Sequence, residues 1–158
     1  MRISQVLLFV AATSQAAWCS PGGVLEKVTR IQVDQTVVEH PEKVDSSVAA
    51  NLVRFNLRAA VKDAHFDEGE SATRAHFVLE EFSSESAAKR LMNLGSGRTT
   101  STVDGKLVIQ DASGKELASV KIHVHGSVAF TAGDGSDPRT RATSDLEQRL
   151  LQEIERLK

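Results

Sequence analysis

The chain has 158 residues, of which 41% are hydrophobic, and a formal net charge of −2. This length suits a single domain with a hydrophobic core of its own. The balanced charge, the absence of tyrosine and the single tryptophan argue against nucleic-acid binding, which needs a basic surface with stacking aromatic residues. The one cysteine excludes an internal disulfide.

Residues 1–17 are predicted to be a signal peptide. Arg2 provides a positive charge, "VLLFVAA" at 6–12 an apolar run, and residues 14–17 small side chains around a cleavage point. The run is too short to cross about 30 Å of hydrocarbon. We therefore expect an exported protein, periplasmic or secreted, whose formal net charge changes from −2 to −3 when Arg2 is removed.

Cys19 is a weak candidate for lipidation. A lipoprotein signal places a small residue directly before the modified cysteine, and Trp18 occupies that position. We expect plain cleavage, with an outer-membrane lipoprotein as the alternative and membrane contact only through a lipid on Cys19. Residues 18–27 are predicted to be a flexible N-terminus, and residues 28–158 a single globular domain.

The first predicted elements are a strand and a helix. The alternation in "VTRIQVDQTVV" at 28–38 predicts a strand with Ile31, Val33 and Val37 on its buried face. After a polar loop, Asp45 or Ser46 is positioned to cap a helix over about residues 47–64. Its predicted apolar stripe consists of Val48, Leu52, Phe55 and Ala59, flanked by Val53, Leu57, Ala60 and Val61.

A second strand and a hairpin follow. "RAHFVLEEF" at 74–82 predicts a strand with Phe77 and Leu79 on one face and Val78 and Phe82 on the other. "SSESAAKRLMNL" is expected to be a loop or a short helix. "TSTVDGKLVIQ" and "KELASVKIHVHGSV" flank "DASG", in which Asp111 and Gly114 suit a type I turn.

The register of this hairpin needs an irregularity. A shared apolar face requires Val103 opposite Ile122, whereas a turn with a bulge at Gly114 shifts the pairing by one residue. We therefore predict a second bulge, at Gly105.

The last predicted element is a helix. "SDLE" at 144–147 is a capping box, and Leu146, Leu150, Ile154 and Leu157 recur at helical spacing. The predicted fold is α/β (α+β): a single mixed sheet of four to five strands with a hairpin, one helix after the first strand, and a C-terminal helix packed on one face.

This order of elements resembles a bacterial envelope family known only as domain of unknown function 4410. The resemblance rests on "RIQVDQTVV", "AHFVLEEF", "GSGRTTSTVDGKLVIQDASGKELAS" and the terminal helix, which together cover most of the mature chain. It implies an exported bacterial protein, often a lipoprotein, with no established activity.

Two features offer candidate chemistry. His123 and His125 in "KIHVHG" would point to one face of a strand, about 7 Å apart, but a catalytic zinc needs a third protein ligand. Asp104 is expected nearby on the neighbouring strand, although Lys121 would repel a cation. "GSGR" at 95–98 makes Arg98 a weak candidate for an anion contact, without the lysine and hydroxyl of a phosphate-binding loop.

No stretch matches a catalytic or cofactor motif, so we expect no catalytic residue and no cofactor. Glu80, Glu81 and Glu85 are expected to form a solvated edge. The sequence favours a non-catalytic envelope protein of unknown process, a small protein-interaction or assembly domain whose partner is another envelope protein. The alternative is a metal-binding protein or metal-dependent enzyme that uses His123 and His125.

Overall fold

The computed structural model describes residues 23–44, 48–84, 98–129 and 138–158. Two helices and six strands lie within these ranges. The strands are β1 (Arg30–Val33), β2 (Val37–Val38), β3 (Asp67–Glu68), β4 (Arg74–Ser84), β5 (Arg98–Gln110) and β6 (Glu116–Ala129). The helices are α1 (Ala49–Asp63) and α2 (Pro138–Arg156), and a short 3-10 turn covers Pro41–Lys43.

The strands form one mixed sheet in the order β3-β1-β4-β5-β6, with β2 paired to β4 beyond the end of β1. Both helices contact the sheet and each other. Leu146, Leu150 and Ile154 of α2 are completely buried. The predicted fold class is confirmed, and the two additional strands are the two-residue pairings of β2 and β3.

The predicted strand 28–38 is divided in two. Val33 pairs with Ala75 and Val37 with Val78. The stretch from Val33 to Val37 therefore contains one residue more than the stretch of β4 with which it pairs. This extra residue reverses the alternation of side chains. Ile31 and Val33 are buried as predicted, whereas Val37 is 50% exposed, and its predicted place on the buried face is wrong.

The predicted apolar stripe of α1 is wrong at its centre and right at its flank, because Val53, Leu57, Ala60 and Val61 are buried as predicted. The buried residues are Ala49, Val53, Asn56, Leu57, Ala60 and Val61. Val48 and Phe55, from the centre of the predicted stripe, are 60% and 66% exposed. The helix carries apolar residues around most of its circumference, so the sequence does not reveal which of them lie against α2 and the sheet. The predicted cap residues, Asp45 and Ser46, lie outside the described residues.

A bulge in β4 changes the face of Phe82. Leu79 pairs with Gly105 and Glu81 with Asp104, so Glu80 has no partner in the ladder. Phe82 therefore returns to the covered face, where it is 2% exposed. The prediction that it lies opposite Phe77 is wrong because alternation along a strand does not reveal an inserted residue.

The hairpin register differs from the predicted one. Val103 pairs with Val124, and Gly105 with Ile122. The irregularity in this pair lies beside the turn, between Ile109 and Gln110, and not at Gly105. The turn itself is as predicted: the Gly114 N–H donates to the Asp111 carbonyl at 3.0 Å, and Gly114 has a left-handed φ of 82°.

The N-terminal and C-terminal ends of the described chain are held together by a hydrogen bond. Residues 24–27 form a turn in which Leu25 is 1% exposed, and the Leu25 N–H donates to the Leu157 carbonyl at 2.7 Å. Lys158 Nζ donates to the Ala64 carbonyl at the end of α1, where a cation is favourable for the helix dipole. Among the described residues, no helix is both long and apolar enough to cross a membrane.

Candidate functional site

The candidate site lies on the face of the sheet opposite the helices, here called the open face. Side chains alternate along each strand, so β5 and β6 direct most of their apolar residues to the helices and most of their polar residues to the open face. The polar set comprises Thr102, Asp104, Lys106, Lys121, His123 and His125. The histidines and Lys121 are exposed.

A cavity of about 220 Å³ lies beside the β4 bulge. Its wall includes His40 and Lys43 from the 3-10 turn region, Glu80 from the bulge, Asp104 from β5, and Lys121 and His123 from β6. The bulge contributes directly to this site because it turns Glu80 towards Lys106. The cavity thus combines acidic and basic groups from four parts of the fold.

Next to the cavity, Lys106 lies between two carboxylates. Lys106 Nζ lies 2.7 Å from Glu80 Oε1 and 3.8 Å from Glu39 Oε2. The hydrogen bond from Lys106 lowers the pKa of Glu80 below its usual value, and the same bond raises the pKa of Lys106. A carboxylate held ionised by a lysine is poorly suited to be a general acid near neutral pH. The pair is better explained as a structural ion pair between β4 and β5.

The two predicted histidine ligands have separate partners. Nδ1 of His123 contacts Oδ1 of Asp104, and Nδ1 of His125 lies 3.2 Å from Oγ1 of Thr102. The structure therefore brings Asp104 to His123, as expected from the sequence. Among the described residues, however, no group of three or more histidine, cysteine, aspartate or glutamate side chains could hold a metal ion. A metal site on His123 and His125 remains a prediction that lacks a third ligand in this part of the chain.

The remaining candidates lie largely outside the described residues. Arg98 begins β5 with its backbone paired to Ala129, but residues 95–97 and the Arg98 side chain are not described. Cys19 and Glu85 are also outside the described ranges. The anion contact and the lipidation therefore remain predictions.

Sequence reasoning missed the contacts among Glu39, Glu80 and Lys106. Alternation along β5 puts Lys106 on the same face as Asp104, and this is the signal from which a charged partner for Lys106 could have been expected. The partner itself depends on the bulge at Glu80, which has no clear sequence signature.

Comparison with known proteins gives a likeness of fold. No protein-family model matches the chain, and no curated protein matches it either. The PelC dodecamer from Paraburkholderia phytofirmans is similar with a TM-score of 0.55 and 10% identity, over 78% of this chain and 86% of that chain. A second PelC structure from the same organism has a TM-score of 0.54 and 10% identity, over 82% and 86%.

A minor lipoprotein from Acinetobacter baumannii is similar with a TM-score of 0.44 and 8% identity, over 81% of this chain and 88% of that chain. At such identities the PelC likeness concerns the fold alone. The resemblance to family 4410 remains a prediction from the sequence segments that suggested it.

Proposed function

We propose that this protein is a non-catalytic assembly domain of the bacterial envelope, which associates through the edge of its sheet. The proposal includes export to the periplasm or medium, with an outer-membrane lipoprotein as the alternative, and no cofactor. The observation that carries it is β6, an edge strand of 14 residues. Among the described residues β6 pairs only with β5.

An edge strand of this length can pair with a strand of another chain. Its outer side presents a row of N–H and C=O groups that can join another strand. Soluble proteins usually protect such an edge with short strands, proline, bulges or charged side chains, especially lysine. Over residues 117–125, β6 has no proline, and Lys121 is the one lysine, arginine or carboxylate side chain, so the edge carries little of this protection.

The likeness to PelC supports assembly as the use of this edge. The two PelC structures are dodecamers, so a domain of this fold can form a large homo-oligomer. The open face supports a non-catalytic role because Lys106 holds Glu80 ionised, and such a carboxylate is poorly suited to be a general acid near neutral pH.

The test is the size of the native protein. Mature protein should be extracted from a bacterial envelope and examined by sedimentation velocity over a hundredfold range of concentration (about 0.5 to 50 μM, spanning ordinary association constants). We expect species larger than a dimer, or a stoichiometric complex with another envelope protein. A monomer throughout, with no partner in the extract, would overturn the proposal.

A metal analysis separates this function from its alternative. Protein purified without an affinity tag should contain no stoichiometric zinc or copper. One equivalent that is lost in the variant His123→Ala, but retained in the matched variant His76→Ala on β4, would instead favour a metal-dependent role.

A further inference from the structure

We infer that copies of this chain join head to tail, with β6 of one copy beside β2 of the next, on the side where β2 has no partner among the described strands. This inference rests on the proposed function and names its partner as a second copy. The argument depends on two surfaces at opposite sides of one sheet. The first, called the basic margin, consists of residues 117–125 in β6. The second, called the acidic margin, consists of residues 34–42.

The basic margin carries Lys121, His123 and His125, all exposed on the open face, and no carboxylate. Its side chains towards the helices are apolar, with Ile122 and Val124 buried. An incoming strand would therefore meet apolar residues at one face and positive or titratable groups at the other.

The acidic margin carries Asp34, Glu39 and Glu42, with no lysine or arginine between residues 34 and 42. Glu39 and Glu42 have side chains that are 46% and 68% exposed. Their contacts within the chain are long: Glu39 lies 3.8 Å from Lys106, and Glu42 lies 3.4 Å from His40. Exposed pairs of this kind contribute little to stability, so these carboxylates are available to a cation on a neighbouring copy.

The opposite charges favour a head-to-tail contact over a two-fold contact. A two-fold pairing of β6 with itself would bring Lys121 and the histidines of both copies to the same face of one continued sheet, and like charges across strands are unfavourable. Pairing of the basic margin with the acidic margin brings opposite charges together. Head-to-tail contacts of this type close into rings when the rotation between copies permits it.

The directions of the strands are compatible with this contact. β2 is parallel to β4, and β6 is antiparallel to β5, which is itself antiparallel to β4. β6 and β2 therefore run in the same direction, so the next copy can continue the sheet without being inverted. Val37 on β2 is 50% exposed and would be covered by the added strand.

Charge reversal tests the inference. We expect Lys121→Glu alone, and Glu39→Lys with Glu42→Lys, each to weaken self-association at least about tenfold, because like charges then face each other across the contact. An equimolar mixture of these two variants should restore assembly, since each interface in the mixture again pairs opposite charges. The matched controls Lys27→Glu and Glu26→Lys, which lie in the N-terminal turn outside both margins, should assemble as wild type does.

The outcomes distinguish this inference from the proposed function. Wild-type protein that assembles while the margin variants assemble equally well, or a mixture that fails to restore assembly, would overturn the head-to-tail contact and leave the proposed function intact. Monomeric wild-type protein would overturn self-assembly and the contact together. Circular dichroism checks that each variant is folded, and Lys121→Gln replaces Lys121→Glu if the latter is unfolded, with a smaller loss of association expected.

Discussion

At the scale of single residues, Gly105 is a position where the packing of the core leaves no room for a side chain. It lies in β5 between Asp104 and Lys106, opposite Leu79 of β4 and Ile122 of β6. A Cβ atom at this position would overlap the Val78 carbonyl oxygen and the ring of Phe77. The ring of Phe77 thus occupies the space that a side chain at position 105 would need, and only glycine fits.

We therefore predict that Gly105→Ala lowers the free energy of unfolding by about 3 kcal/mol or more, at the upper end of overpacking costs. The Val78 carbonyl belongs to the backbone of a central strand and cannot move aside cheaply. Urea denaturation measures the change. Gly114→Ala is the matched control: nothing lies within 4 Å of its Cβ position, so only the left-handed φ of 82° is penalised, by about 1 kcal/mol. Equal losses in the two variants would contradict the steric explanation.

Asp111 gives the hairpin a dependence on pH. Its Oδ1 accepts hydrogen bonds from the backbone N–H of Ser113 at 2.8 Å and of Lys115 at 3.0 Å, and from the Ser113 hydroxyl. The Ser113 side chain and the Lys115 backbone lower the pKa of Asp111 below its usual value. A lowered pKa stabilises the folded state above the unfolded pKa, and this contribution is lost as pH falls through the folded pKa.

Asp111→Asn should accordingly lower the melting temperature at neutral pH and have a smaller effect at acid pH, as the wild-type carboxyl becomes protonated. Thermal unfolding monitored by circular dichroism at both pH values measures this difference. Ser113→Ala removes the largest cause of the shift and should reduce the effect of Asp111→Asn. A difference between wild type and Asp111→Asn that is the same at both pH values would refute the role of the charge.

At the scale of elements, two substitutions in α1 test which face of the helix is buried. Leu57 is completely buried and Phe55 is 66% exposed, although both are large apolar residues of the same helix. Leu57→Ala should cost about 2–5 kcal/mol, as truncations of buried leucine do, whereas Phe55→Ala should change stability by less than about 0.5 kcal/mol. The two variants should be compared by urea denaturation of the monomeric protein. A large loss in Phe55→Ala would mean that the predicted stripe is buried after all.

The elements show how far the sequence reaches. The strand–helix–strand–hairpin–helix order, the turn at Asp111 and Gly114 and the docking of α2 followed from periodicity and turn chemistry, because each depends on neighbours in the chain. The faces of Val37, Phe82 and Phe55 did not. One inserted residue before β2 and one at Glu80 reverse the alternation, and α1 is apolar on more than one face, so only tertiary packing decides. For the same reason the contact of His123 with Asp104 was expected, whereas that of Glu80 with Lys106 was not.

At the scale of the whole molecule, the two ends of the described chain meet at one end of the fold. The turn at residues 24–27 is held by buried Leu25 and its hydrogen bond to Leu157, next to the end of α1, where Lys158 binds the Ala64 carbonyl. Gly23, the first described residue, therefore lies next to Lys158 and the ends of both helices.

The address of the mature protein is the last prediction. Signal peptidase needs small residues at the third and first positions before its cut. Ser14 with Ala16, or Ala17 with Cys19, meets this need. Intact-mass analysis of protein from a bacterial envelope should therefore give a chain that begins between Ala17 and Ser20. Both cuts leave Leu25 in place, so the mature chain should melt at the same temperature as a chain that begins at Gly23. A version that lacks residues 1–26 should melt at a lower temperature, because it lacks the buried Leu25 and its hydrogen bond to Leu157. A diacylglyceryl group on Cys19 would show that the protein is a lipoprotein and refute the free form. A mature chain that retains Met1 would refute export.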